Sequence, residues 1–429
     1  MKKLKSKISL FVLTAGVISL FSYCTKHDEV LNLASPSTGS TATSTVLTSI
    51  KGTATVLGSG QGVWDGTLDA AWANAPSITA TATVPSPGND IFTGFNGNTT
   101  NVTMQSMYDA NNIYFLFQWN ADLQNCASSP FYFNPTTHLW AQEAGAPTLN
   151  SDGTTARPPF IQDELVMAFD INNSTPEFTA NSCYGACHVN SSYGTSTVLG
   201  GAMWTNGPTE FLDCWRARTL QTLNENQASD CSITWDGGEL NKQSVPADAM
   251  LKTTDGGFSN KQTLTITGKK TKEVVPMYAY PTGTYSIYPL MPAGPFGAIQ
   301  QSDTGAKALK IMAVDSNGVL TLINGSKIDP NTAANGTNYQ QVGMGDGPYC
   351  IPGSVVSPYT GSRADVACNM YYTGSGWKLL FKRAITTADK VYDVDFSSLK
   401  DQPFGVGVMF NGADNEHAII NGLTLTFQK

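Results

Sequence analysis

Cys183, Cys187 and His188 stand in a C-x3-C-H segment, Asn181-Ser182-Cys183-Tyr184-Gly185-Ala186-Cys187-His188, near the middle of the chain. Two thiols with an imidazole fused to the second suit covalent attachment of a haem: each sulfur adds across a vinyl group, and the adjacent imidazole comes to lie under the iron. The usual spacer between such cysteines is two residues, and here it is three. Two other chemistries use the same groups. In an exported chain Cys183 and Cys187 can close a small disulfide loop beside His188. Two thiolates and an imidazole are also three of the four ligands of a zinc ion, although no fourth is evident nearby. One covalent, c-type haem is the favoured reading, with His188 as the proximal iron ligand.

A sixth ligand must come from elsewhere. The histidines are four: His27, His138, His188 and His417. His417, in Asn415-Glu416-His417-Ala418, follows a strand-like run, and its bland alternative is a histidine hydrogen-bonded in a loop. Met203, in Gly201-Ala202-Met203-Trp204, would instead give His/Met ligation and raise the potential. Met104 and Met107 are further candidates, but a methionine among strand residues ordinarily packs a core. Tyr184, Trp204 and Trp215 would line a haem edge or simply pack. Arg216 and Arg218 would pair with haem propionates or face water.

These groups need a scaffold, and the start of the chain says where it works. Lys2, Lys3, Lys5 and Lys7 precede an apolar run from Ile8 to Phe21 and then Cys24. The run is too short to span a membrane and has the length of a signal-peptide core, so residues 1–23 read as an export signal. Cys24 then resembles the lipidated first residue of a bacterial lipoprotein, although Tyr23 replaces the small residue usual before it. Ordinary secretion is the alternative. A lipid would tether the protein to a membrane, in the periplasm or at the cell surface, without a spanning helix. Residues 24–50 are rich in Ser, Thr, Ala and Gly and read as a flexible tether.

Charge and composition narrow the function classes. The net charge is −8, and removing the four leader lysines takes it to −12, which makes nucleic acid a poor partner. Only 14% of residues are charged, while glycine and aromatic residues are plentiful, as in extracytoplasmic β-rich domains with long loops. Of the eight cysteines, Cys214 with Cys231 and Cys350 with Cys368 are close enough in sequence to staple loops as disulfides, leaving Cys126 unpaired. No G-x-S-x-G, H-E-x-x-H or phosphate loop is present, no small-molecule substrate is identified, and an enzyme is not expected. The acids Asp163 and Glu164 read as a turn cap or a solvated pair.

Strand-like runs dominate residues 51–429. They are Ile113–Trp119 after the turn signal Asp109-Ala110-Asn111-Asn112, Leu165–Asp170, Leu264–Thr267, Ala308–Val314 and Leu320–Ile323. Asn369–Tyr372 and Trp377–Arg383 flank a glycine turn, and Phe404–Phe410 and Gly422–Phe427 follow. Only Phe211–Leu223 suggests a short helix. The expectation is an all-β protein: a single antiparallel β-sandwich with long loop insertions and few short helices.

Several of these pieces, in order, resemble one family. Asp65-Gly66-Thr67-Leu68-Asp69-Ala70-Ala71-Trp72 looks like the opening of family 9 carbohydrate-binding sandwiches, and Tyr108–Phe115 like their following hairpin. The C-x3-C-H segment, Leu212–Arg218, Gly361–Val366, Gly376-Trp377, Lys382-Arg383-Ala384, Asp393-Val394-Asp395-Phe396, and Phe404-Gly405-Val406 through Glu416-His417-Ala418 resemble the haem-binding domain of ethylbenzene dehydrogenase and dimethyl sulfide dehydrogenase gamma subunits. The resemblance implies a two-sheet sandwich that holds haem between loops at one edge and passes single electrons to a redox partner protein. Those gamma subunits hold b-type haem through Met and Lys. The segment around His417 is where the family's lysine would fall, while the cysteines and His188 depart towards a c-type haem. The alternative from another class is a surface carbohydrate-binding module without haem, its exposed Trp and Tyr stacking on sugars.

Overall fold

Alternation of apolar and polar side chains every second residue makes eleven segments pair into one large sheet. The computed structural model describes residues 45–84, 97–122, 124–126, 128–134, 136–143, 148–149, 155–157, 161–176, 178–182, 204–205, 207–235, 246, 249–250, 256–281, 297–331, 351–410 and 417–429. The eleven strands are β1 (Val46–Lys51), β2 (Ser77–Thr83), β3 (Thr99–Tyr108), β4 (Asn112–Asn120), β5 (Glu164–Asp170), β6 (Phe211–Arg218), β7 (Ser229–Thr234), β8 (Ala367–Tyr372), β9 (Gly376–Ala384), β10 (Gln402–Met409) and β11 (Ala418–Phe427). Their order is β7-β6-β5-β10-β11-β1-β3-β4-β9-β8, with β2 paired to both β3 and β11. Pairing is antiparallel except at β1, which runs parallel to β11 and to β3 and so joins the two halves.

The halves face each other across an aromatic core. Phe115 on β4 meets Trp215 on β6 at 5.7 Å and Phe169 on β5 at 6.2 Å between ring centres. Trp215 also meets Phe381 on β9 at 5.7 Å. These edge and tilted contacts add to the burial of large apolar surfaces. The outside of β4 and β9 is covered by residues 54–75: Trp64 and Trp72 pack on Tyr114, Leu116 and Leu380. Trp72 lies in a short 3-10 turn, Ala70–Asn74, whose carbonyls at Trp72 and Ala75 accept from Gln105 Nε2 at 2.9 and 2.7 Å. The D-G-x-x-D-x-x-W segment is thus the lid of that outer face.

The expected all-β sandwich is what the chain forms, with the insertions building a second core of Phe131, Phe133, Trp140, Ile266, Val275, Ile311, Leu320 and Ile351. That core sits between small sheets, among them Phe131–Asn134 with Leu139–Gln142 and Lys261–Thr265 with Lys272–Pro276. Two expectations are corrected. Val46–Ile50 belongs to β1 rather than to a tether, because each residue finds a parallel partner on β11 or β3. Phe211–Arg218 is strand β6, its alternation hidden by charges on both faces, and the short α-helices among the described residues are α1 (Phe178–Asn181) and α2 (Thr219–Glu225). No helix among the described residues is long and apolar enough to cross a membrane.

Candidate functional site

The outer face of β5, β6 and β10 meets Ser182, the last described residue before Cys183. Strand periodicity puts Gly405 and Gly407 on this face of β10, opposite Ala168 and Val166 of β5, while Phe404, Val406 and Val408 point into the core. Gly405 has no room for a side chain, and at Gly407 the space is tight. A Cβ on Gly405 would lie 1.8 Å from Ser182 Oγ, and one on Gly407 would lie 3.0 Å from His417 Cδ2. Ser182, which directly precedes Cys183, is fully buried, has φ 52°, and donates its amide to Phe178 O at 2.6 Å. Its hydroxyl finds no hydrogen-bond partner. His417 is buried and opens β11. Ser182 and His417 therefore seat against residues two apart on one strand, about 7 Å along it.

Arginines border the same face. Arg216 Nε pairs with Glu164 Oε2 at 2.7 Å, and Arg218 Nη2 donates to the Tyr359 hydroxyl at 2.5 Å. Arg363 donates to Ser229 Oγ and to the Ala249 carbonyl, each at 3.0 Å. Cys214 and Cys231 are directly opposed on β6 and β7 but remain thiols, which corrects the expected disulfide. Opposed Cβ atoms sit about 4.5–5.5 Å apart in an antiparallel pair, whereas a disulfide needs roughly 3.8 Å. The Cys231 thiol donates to the Cys214 carbonyl at 3.1 Å. Hydrogen bonding with Cys214, and then the guanidinium groups of Arg363 and Arg216, hold that thiol below its ordinary range against the cost of burial.

The remaining sequence candidates divide clearly. Cys24, His27, Cys183, Tyr184, Cys187, His188, Met203 and Cys350 lie outside the described residues. Cys126 and Cys368 are buried thiols; burial pushes Cys126 up to about 12 and Cys368 well up too. Met104 and Met107 are wholly buried in the two cores, and His138 sits at φ 55° against the Phe133 ring. Asp163 and Glu164 are corrected from a solvated pair to buried anchors: Asp163 accepts from Trp377 Nε1 at 2.8 Å and Asn125 Nδ2 at 3.1 Å, and Glu164 holds Arg216. Seven of the eight tryptophans are buried, leaving Trp235 at 38% exposure as the one available to stack on a ligand.

On the inner side of the same strands lies a group that motif reading missed. Asp213 and Asp230 on β6 and β7 meet Asp393 and Arg383, whose guanidinium lies 4.7 Å from the Trp215 ring centre and 5.4 Å from that of Phe396. The sequence signal was the alternation in Leu212–Arg218, which sends Asp213 and Trp215 inwards while Cys214 and Arg216 face out.

Fold and site define a β-sandwich protein in which Ser182 and His417, far apart in sequence, close onto one strand, β10. Residues 69–421 match the family model described as Ethylbenzene dehydrogenase, and the chain belongs to that family. No curated protein matches it. Among solved structures it is similar to a family 9 carbohydrate-binding module from Caldicellulosiruptor kristjanssonii in complex with glucose, at 7% identity over 89% of this chain and 95% of that one, with a TM-score of 0.28. A likeness at that level does not bear on function.

Proposed function

We propose that the protein is an exported cytochrome of the ethylbenzene dehydrogenase family, lipidated at Cys24, that carries one haem on Cys183 and Cys187 and passes single electrons to a redox partner. His188 is the proximal ligand and His417 the sixth, with Met203 the runner-up. The observation that carries this reading is the shared seat on β10. Ser182, the last residue before Cys183, and His417 close onto Gly405 and Gly407; a side chain at Gly405 would displace Ser182, and one at Gly407 would press on His417. Around that seat stand groups a haem site can use: the Ser182 hydroxyl, buried without a partner, the buried His417 imidazole, and the arginines that border the face, now held by Glu164 and Tyr359. A bound haem would supply reversible one-electron redox chemistry, and the chain's own part is to fix its ligands and exclude water. The carbohydrate-binding alternative has less support, since seven of the eight tryptophans that would stack on sugars are buried.

A pyridine haemochrome spectrum of the purified full chain tests the proposal. Haem resistant to acid-acetone, with the band position of two thioether bonds, is expected; a colourless protein overturns the reading. His417→Ala is expected to keep the haem but shift its spectrum from low spin, while an unchanged spectrum assigns the sixth position to another residue.

A further inference from the structure

The cluster of Asp213, Asp230, Asp393 and Arg383 has three carboxylates for one guanidinium and buried acceptor oxygens that no donor reaches, although Arg383 Nε and Trp215 Nε1 are buried and unpaired beside them. Asp213 is wholly buried, Asp230 is 2% exposed and Asp393 7%, and one carboxylate oxygen from each lies within 4.8 Å of those from the other two. Arg383 Nη1 reaches Asp213 Oδ2 at 2.5 Å and Asp230 Oδ2 only at 3.7 Å, beyond hydrogen-bond range. The Val394 amide also donates to Asp213 Oδ2, at 2.9 Å, and the second Arg383 nitrogen is committed to the Val394 carbonyl. Four buried oxygens are left without any donor: Asp213 Oδ1, both oxygens of Asp230, and Asp393 Oδ2.

We propose that Asp213, Asp230 and Asp393 bind one divalent cation of the calcium class at this inner edge of the sandwich. One guanidinium against three carboxylates leaves two negative charges in a place where water is nearly excluded, and one divalent ion neutralises them. Hard oxygen donors select a hard cation. Calcium takes oxygens at about 2.3–2.6 Å from any direction, so ligands across the ion stand roughly 4.6–5.2 Å apart, a span this cluster matches. Magnesium would demand octahedral geometry and several retained waters. Protonation is the competing solution, but it answers the charge without answering the acceptors. One proton shared between Asp213 and Asp230 still leaves oxygens of Asp230 and Asp393 unmatched. This inference does not depend on the haem reading.

The test is metal content and melting of the full chain. After dialysis against EDTA and then against 1 mM CaCl2 (~the extracellular range), elemental analysis is expected to find one calcium per chain more in the wild type than in Asp230→Asn or Asp393→Asn. The melting temperature should rise by about 2 °C per tenfold increase in saturating calcium for a chain of this size, and not in the variants. Asp393→Asn lies nearest the surface and decides the matter if Asp230→Asn does not fold. Equal calcium content in wild type and variant, or a wild type whose melting responds to acid but not to calcium, overturns the proposal in favour of protons.

Discussion

Gly405→Ala isolates the contact that seats the haem-type segment on the sandwich. At an ordinary strand position the change would stabilise by roughly 0.5–1 kcal/mol through lost glycine entropy. Here the new methyl would lie 1.8 Å from Ser182 Oγ and 2.8 Å from Ser182 Cβ. Overpacking of that kind costs about 1–3 kcal/mol, so the expected outcome reverses sign, to a net loss of roughly 1–2 kcal/mol. Ser182→Gly removes both offending atoms and leaves only the Cα at 3.5 Å, an ordinary contact. It also places glycine at φ 52°, where glycine is unstrained. The double variant should therefore recover, with a coupling energy of about 1–3 kcal/mol between the two sites. Urea unfolding of the full chain, followed by tryptophan fluorescence at constant slope, measures all four corners of the cycle. Haem occupancy in the same proteins should fall with Gly405→Ala and return in the double variant. An additive cycle, or a Gly405→Ala protein as stable as the wild type, would refute the argument that Ser182 is clamped to β10.

Three further outcomes are expected. Arg383→Met should destabilise by about 3–5 kcal/mol, because it strands the buried Asp213 carboxylate, and Asp213→Asn in that background should restore part of the loss; chemical denaturation checks both. Asp163→Ala should cost about 2–4 kcal/mol by orphaning Trp377 Nε1 and Asn125 Nδ2 together, whereas Asp163→Asn keeps one acceptor and should cost less. Burial raises Glu225 at the end of α2 to about 7 from the ordinary 4.5, so its folded state prefers the protonated acid. Its contribution is full below pH 4.5 and is lost as pH rises through 7; Glu225→Gln should flatten that part of the stability profile, and an unchanged profile excludes the assignment.

How much of this was legible beforehand depended on what each residue's neighbours were. Ile113–Trp119 and Trp377–Arg383 announce themselves because both faces of β4 and β9 are buried, one under the aromatic core and one under Trp64 and Trp72, giving unbroken apolar runs. Phe211–Arg218 concealed its strand because its outward residues pair with Glu164 and Tyr359 and its inward Asp213 pairs with Arg383, so polarity did not alternate. Val46–Ile50 looked like linker because its stability comes from β11 and β3, far away in sequence. The G-x-G of β10 was the readable hint of a close approach, since glycine inside a strand often marks one. What approached it was not readable, because Ser182 is more than 220 residues away.

The two sides of β6 show how segments far apart in sequence come together without forming one motif. Leu212–Arg218 contributes Asp213 to the inner cluster and Cys214 and Arg216 to the outer face, and Lys382-Arg383-Ala384 and Asp393–Phe396 reach Asp213 only because β9 crosses the far sheet at that level. A one-residue slip of β6 would exchange the two sides, burying Arg216 among the aromatic rings and pointing Asp213 at the glycines of β10. The Asp213–Arg383 pair opposes that slip, because leaving either charge buried alone is far costlier than the pair itself. On this argument the inner cluster sets the register, and the register in turn sets which residues meet the segment beginning at Ser182. Loss of the inner pair should therefore disturb the outer face even though no side chain of the pair touches it.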